Sequence, residues 1–211
     1  MFTETLLPDT LRAIKLISPT PEIRQTYLAG GTALALQTGH RISVDLDFFT
    51  QLQFNETQLS SGLTALPEFA SGGTARWTVW GSIGETNISI FYYKYPLLEK
   101  TTLFEGIQLA GLADIAAMKL QAIEGRGTRR DFIDIFSLTK KYTLEEMLMF
   151  YRKKCEAPDE RLYTILRSLD YFEDAEQEIA MPNMLTPVNW EEVKEFFRQE
   201  TQRLMQNRLK A

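Results

Sequence analysis

The sequence predicts an α+β protein: a small mixed β-sheet flanked by helices, followed by a helical C-terminal half. Three observations carry that expectation. Short apolar runs closed by glycines alternate with helical periodicity early in the chain, "ARWTVWGSIGETNISIFYYKYPLL" alternates residue by residue, and from "GLADIAAMKLQAIEGRG" onward the spacing is helical to the end. The expected division is 1–112 as an α/β core and 113–211 as a helical part that completes the functional site and runs on as a C-terminal extension.

Taken in order, "PDTLRAIKLI" carries apolar residues at helical spacing behind a Pro-Asp start and should be a helix. "QTYLAGG" is a short apolar run closed by Gly30 and Gly31, and "TALALQTG" reads as a short helix stopped by Gly39. "SVDLDFFT" is a strand, and "NETQLSSGLTAL" suggests a helix after a polar stretch. Around Gly81 and Gly84, aromatic and β-branched residues form two strands joined by a tight turn. Breaks in the helical half fall near Gly125 to Gly127, at Pro158 and in "MPNMLTP".

Composition narrows the class. With 211 residues, 44% of them hydrophobic, the chain can bury one sizeable core. The N-terminal "MFTETLLPDTLRAIKLIS" lacks a basic region before a long apolar stretch, and no run approaches the roughly 18 apolar residues of a membrane helix, so the expected location is the cytoplasm. A single cysteine, Cys155, excludes an internal disulfide, and a single histidine, His40, leaves no His/Cys set for zinc. The net charge of −5 argues against a uniformly basic nucleic-acid coat. Between Ile115 and Asp170, however, 11 basic residues face 9 acidic ones, so Arg126, Arg129, Arg130, Lys140, Lys141, Arg152, Lys153 and Lys154 form either a local basic surface or a solvated helix face.

The strand "VDLDFF" holds what packing does not explain. Side chains alternate along a strand, so Val44, Leu46 and Phe48 point one way and Asp45, Asp47 and Phe49 the other. Adjacent like charges raise each other's cost, and a divalent cation makes the pair tolerable. Upstream, Gly30 and Gly31 end a strand and open a helix with Thr32 behind them, so backbone N–H groups can approach an anion at a helix N-terminus. Metal-assisted phosphoryl or nucleotidyl transfer needs both features. In that chemistry Asp45 and Asp47 hold Mg²⁺, or Mn²⁺ in its place, the ion bridges a nucleoside triphosphate (NTP), and Gly30, Gly31 and Thr32 cradle its phosphates. The bland alternative makes "GGT" only a turn and "DLD" an exposed edge.

The order Gly30-Gly31, thirteen residues, then Asp-x-Asp resembles the nucleotidyltransferase superfamily that includes DNA polymerase β. More closely, "YLAGGTALALQTGHRISVDLDFF" is similar to the first motif of the AbiEii/AbiGii family of nucleotidyltransferase toxins, "KLQAIEGR" to its second and "RRDFID" to its third. The resemblance covers roughly residues 25 to 140. Independently of it, Lys119 and Arg126 lie seven apart on one helix face, where two cations can neutralise a triphosphate or simply be solvated. Asp131 and Asp134 share a face of the next helix. Asp131 also stands where Thr128-Arg-Arg-Asp131 resembles a capping box, which leaves Asp134 as the candidate base. The strand "TNISIFYYKY" offers Asn87 and Ser89 but no acid, so the resemblance implies a third carboxylate from Asp131 or Asp134. His40 and Arg41 could touch nucleotide or RNA, with a plain loop position the simpler reading of His40.

The resulting expectation is an enzyme whose catalytic set is Asp45, Asp47, Lys119, Asp131 and Asp134, with Gly30, Gly31, Thr32, Lys119 and Arg126 on the nucleotide. By resemblance the acceptor is the 3′ end of a tRNA, and the chain is the toxin of a toxin–antitoxin or phage-defence pair with a cognate antitoxin. The rival expectation is a non-catalytic nucleotide-binding interaction protein that keeps the fold without the turnover.

Overall fold

The structure, a computed structural model, describes residues 1–178 and 180–208. It divides into two compact units, Met1–Gly111 and Leu112–Ala211. The fold is α+β, as the sequence predicts: a seven-stranded mixed sheet with its helices, then a unit built of helices.

In the first unit the chain enters through α1 (Pro8–Ile17), whose proline occupies the helix start and whose Thr10, Ala13, Ile14 and Ile17 form the buried stripe. Strand β1 (Tyr27–Leu28) leads into α2 (Gly30–Thr38) and then β2 (Leu46–Thr50). Helix α3 (Glu56–Thr64) is capped by Asn55, whose side chain accepts the Gln58 N–H at 2.9 Å. The remaining strands are β3 (Phe69–Ala75), β4 (Thr78–Ile83), β5 (Thr86–Tyr92), β6 (Thr102–Phe104) and β7 (Ile107–Leu109), and the sheet runs β3-β4-β5-β2-β1-β7-β6. Strand β2 pairs antiparallel with β1 and parallel with β5, in a register that sets Asp47 opposite Ser89 and Phe49 opposite Phe91.

One face of β2 and β5 is core: Leu46 and Phe48 are 0% exposed, and Ile88 and Ile90 1%. The other carries Asp47, Phe49, Ser89 and Phe91, all half-buried. The strand is shorter than "SVDLDFFT" suggests, with Asp45 just ahead of its first residue. Strands β3, β6 and β7 were not expected. Strand β3 is "FASGGTA", small and glycine-rich with only Phe69 buried, and β6 and β7 have three residues each, too few for an alternation to show.

The helical unit comprises α4 (Leu112–Gly125), α5 (Arg129–Leu138), α6 (Leu144–Cys155), α7 (Asp159–Ser168), the short α8 (Glu173–Glu176) and α9 (Trp190–Arg208). Phe132 of α5 is its aromatic centre, with ring centroids 4.9 Å from Phe172, 5.3 Å from Phe197 and 6.0 Å from Trp190. Two members of the expected basic surface are interior. Lys154 is 0% exposed, its Nζ 2.6 Å from Asp114 Oδ1, and Arg129 lies 5.0 Å from the Trp190 ring while its Nε donates to the Ala175 carbonyl. Helix packing gave these cations carboxylate, carbonyl and ring partners in place of water.

Buried pairs of this kind are costly to break singly. Asp114→Ala leaves Lys154 buried without this carboxylate and should destabilise the chain by about 3–5 kcal/mol in a urea titration, whereas Asp114→Leu with Lys154→Met should be near neutral or stabilising. A cost for Asp114→Ala below about 1 kcal/mol would show that the pair matters little.

Candidate active site

The first cluster is assembled by the β1–β2 ladder. The Ala29 N–H donates to the Asp47 carbonyl at 3.0 Å, one step beyond the paired residues, so the chain turns into α2 directly beside Asp47. That turn requires Gly30, for two reasons. Its φ is +67°, in the left-handed region, and a Cβ there would stand 2.9 Å from Asp47 Oδ2. The carboxylate therefore lies against the first turn of α2, where the helix macrodipole favours negative charge. At Gly31 a Cβ would collide with the Arg41 guanidinium, which is buried and donates from Nη1 to the Ile42 carbonyl at 3.1 Å.

Asp45 is held from two sides. The Thr32 hydroxyl donates to its backbone carbonyl and lies 2.8 Å from Ser43 Oγ, tying the first turn of α2 to the approach to β2. Asn87 of β5 donates from Nδ2 to Asp45 Oδ1 at 2.9 Å. Thr32 is 1% exposed, so its hydroxyl is a strut within this turn. His40, expected in a loop, is 3% exposed, with Nδ1 2.7 Å from Thr38 Oγ1, whose own proton goes to the Leu34 carbonyl at 2.9 Å.

The second cluster lies in the helical unit and joins all four residues expected there. Lys119 Nζ is 2.9 Å from Asp131 Oδ1 and 2.6 Å from Asp134 Oδ2, and the three residues are 7%, 1% and 0% exposed. Arg126 approaches from just beyond the end of α4, with Nε 3.6 Å from Asp131 Oδ2 and its side chain 70% exposed. Thr128 caps α5 by accepting the Asp131 N–H, and its hydroxyl donates to Asp131 Oδ2 at 2.6 Å. Burial on its own would raise the Asp131 pKa. The Lys119 charge, the hydrogen bonds from Thr128 and Lys119 and the Arg126 charge outweigh it and hold the carboxyl below its ordinary range.

Among the described residues no three His, Cys, Asp or Glu side chains converge on one metal position. Asp45 and Asp47 form a two-carboxylate set. It fits a hard oxygen-seeking ion such as Mg²⁺, which keeps waters and takes further ligands from substrate phosphates. Sequence reasoning missed Asn87 as a partner of Asp45, although it stood out as the polar residue where an acid was sought.

The family match, with the fold likeness beside it, marks a nucleotidyltransferase. The family model described as a nucleotidyl transferase AbiEii toxin of a type IV toxin–antitoxin system matches residues 15–76. An uncharacterized protein of Aquifex aeolicus is 37% identical over 187 residues, which cover 86% of this chain and 88% of that one. The chain belongs to the AbiEii nucleotidyltransferase toxin family. In fold it is similar to the nucleotidyltransferase toxin MenT4 of Mycobacterium tuberculosis, with a TM-score of 0.60 and 16% identity over 92% of this chain and 80% of that one. It is also similar to a candidate nucleotidyltransferase of Helicobacter pylori, with a TM-score of 0.50 and 20% identity over 94% and 92%. No helix among the described residues is long and apolar enough to cross a membrane.

The lowered pKa of Asp131 gives a pH test. Between its ordinary value of 3.8 and its lower folded value the unfolded chain binds more protons, so stability rises with pH through that window. The contribution is complete above the unfolded value and is lost as pH falls through the folded one. Asp131→Asn should therefore flatten the acid limb of unfolding free energy against pH below about pH 4. An acid limb as steep as that of wild type would acquit Asp131.

Proposed function

We propose that the chain transfers a nucleotidyl group from an NTP to a hydroxyl acceptor, the 3′ end of a tRNA, and that it acts in the cytoplasm as the toxin opposed by a cognate antitoxin. The observation that carries this reading is the left-handed turn at Gly30, which brings the first turn of α2 against the Asp47 carboxylate, with Asp45 alongside and held by Asn87. Asp45 and Asp47 would hold Mg²⁺. When bound, that ion supplies charge neutralisation and polarisation at the phosphates. The N–H groups at Gly30 and Gly31 bind phosphate oxygens, and Lys119 and Arg126 offset the charge that moves onto the leaving pyrophosphate. The acceptor oxygen bonds to the α-phosphorus as the α–β bridging bond breaks. The hydroxyl proton passes to a carboxylate.

Of the two helix acids the base role falls to Asp134, because Asp131 is already engaged by Thr128 at the helix cap. Thr128, Lys119 and Arg126 together keep Asp131 ionised, so Asp134 can take a proton and still leave Lys119 a counter-ion. The competing reading, a nucleotide-binding protein without turnover, draws on Asn87 standing where a third acid was sought. Incubation with labelled NTPs, Mg²⁺ and total RNA separates the two, since only the enzyme labels RNA.

Two variants test the roles. Asp47→Asn should abolish labelling and also the rise in melting temperature that Mg²⁺ with NTP gives wild type by mass action. An undiminished rise would move the nucleotide site elsewhere. Asp134→Asn should keep that rise and lose turnover by on the order of a hundredfold or more, the scale of a catalytic proton transfer. Turnover at the wild-type level would end the base assignment.

A further inference from the structure

Along β5, Asn87 and Ser89 alternate with the buried Thr86, Ile88 and Ile90, so the two polar residues share the face of the sheet that carries Asp47. The parallel pairing of β2 with β5 sets Ser89 opposite Asp47. One step ahead of the Leu46–Ile88 pair on both strands, it brings Asn87 beside Asp45. Each acid thus has a neutral polar side chain as its neighbour on the adjacent strand. Asn87 uses that place directly: its Nδ2 donates to Asp45 Oδ1 at 2.9 Å.

An ionised carboxylate only accepts hydrogen bonds, so the amide must present its nitrogen to Asp45, and Asn87 serves this acid as a donor. Folding does not call for the contact. Asn87 is exposed, and a hydrogen bond that water can replace adds little to stability. What the bond does is hold one carboxylate oxygen in place and offset part of its charge, without adding a third negative group. An acid at this place would deepen the repulsion that the pair already carries. Two carboxylates are enough for an ion of the Mg²⁺ type, which takes its other ligands from water and substrate phosphates. Carboxylates that hold a metal are themselves held by hydrogen bonds from outside the ligand set, and losing such a partner weakens metal binding by roughly ten- to a hundredfold.

We propose that Asn87 is a positioning residue for the divalent cation: its amide fixes the Asp45 carboxylate for cation binding shared with Asp47. The proposal rests on the nucleotidyl-transfer reading above. It gives the β5 amide a task in the enzyme, where the competing reading sees only a missing acid.

The test removes the donor in two ways. Asn87→Ala and the equal-sized Asn87→Asp are compared with wild type for melting temperature without divalent cation, and for equilibrium binding of Mn²⁺, alone and with α,β-methylene-ATP. Asn87→Ala should melt close to wild type and bind Mn²⁺ roughly tenfold or more weakly. Asn87→Asp loses the donor and adds a charge beside Asp45. Without cation it should melt below wild type, and Mn²⁺ should raise its melting temperature by more than it raises that of wild type. Wild-type Mn²⁺ affinity in Asn87→Ala would overturn the positioning role and leave the transfer reading intact, because a purely structural hydrogen bond moves melting alone. A Mn²⁺ gain in Asn87→Asp no larger than that of wild type would overturn the role as well, since it would place this residue away from the cation. Wild-type protein that binds no Mn²⁺, alone or with the analogue, would overturn the metal-assisted transfer reading and the positioning role with it. If Asn87→Ala melts well below wild type, Asn87→Val, which favours a strand and has no donor, is measured in its place under the same outcomes.

Discussion

Two carboxylates two residues apart, Asp47 on β2 and Asp45 just ahead of it, repel each other, and the sheet unit is locally organised around keeping them there. The Ala29–Asp47 backbone bond fixes where the chain leaves β1, and the left-handed Gly30 lets α2 begin against Asp47. The helix dipole then offsets part of the cost of Asp47, while the Asn87 amide offsets part of that of Asp45. A glycine pair is required here for close approach as much as for turning: Gly31 gives way to the Arg41 guanidinium as Gly30 does to Asp47.

The helical unit solves a related problem by pairing cations inside. Desolvating an ammonium and a carboxylate is expensive, and their attraction repays it only with good geometry. Lys119 meets two acids within 3 Å, and Thr128 satisfies Asp131 further while capping α5. The helix that carries these acids is braced from its other side by the Phe132 cluster and by Arg129 against Trp190. Its first turn, where cap and acid coincide, is thereby fixed from both sides.

What could be read from the sequence follows from how local each signal is. The first helix, α2 with its closing Gly39, and the β4–β5 hairpin announce themselves within ten to twenty residues, and they are present. The acid pair and the glycine turn were legible because both fall within one short motif. Asn87 was visible as a residue, but its bond to Asp45 depends on the parallel pairing of β2 with β5, a contact across 42 positions that no local pattern encodes. For the same reason Arg129 and Lys154 looked like surface charge. Their partners lie 46 and 40 residues away. The Phe49 and Phe91 rings were read only as strand formers, because the β2–β5 pairing that stacks them is not a local pattern.

Lys154 and Lys119, both buried, are paired differently. Lys154 Nζ lies 2.6 Å from Asp114 Oδ1 and neither side chain is exposed, so removing that carboxylate would leave the ammonium without it in a low-dielectric interior. Such a pair braces α4 against α6. Lys119 is shared by two carboxylates, one of them additionally held by a hydroxyl and a second cation. Losing the charge of one acid there would leave Lys119 the other as a counter-ion.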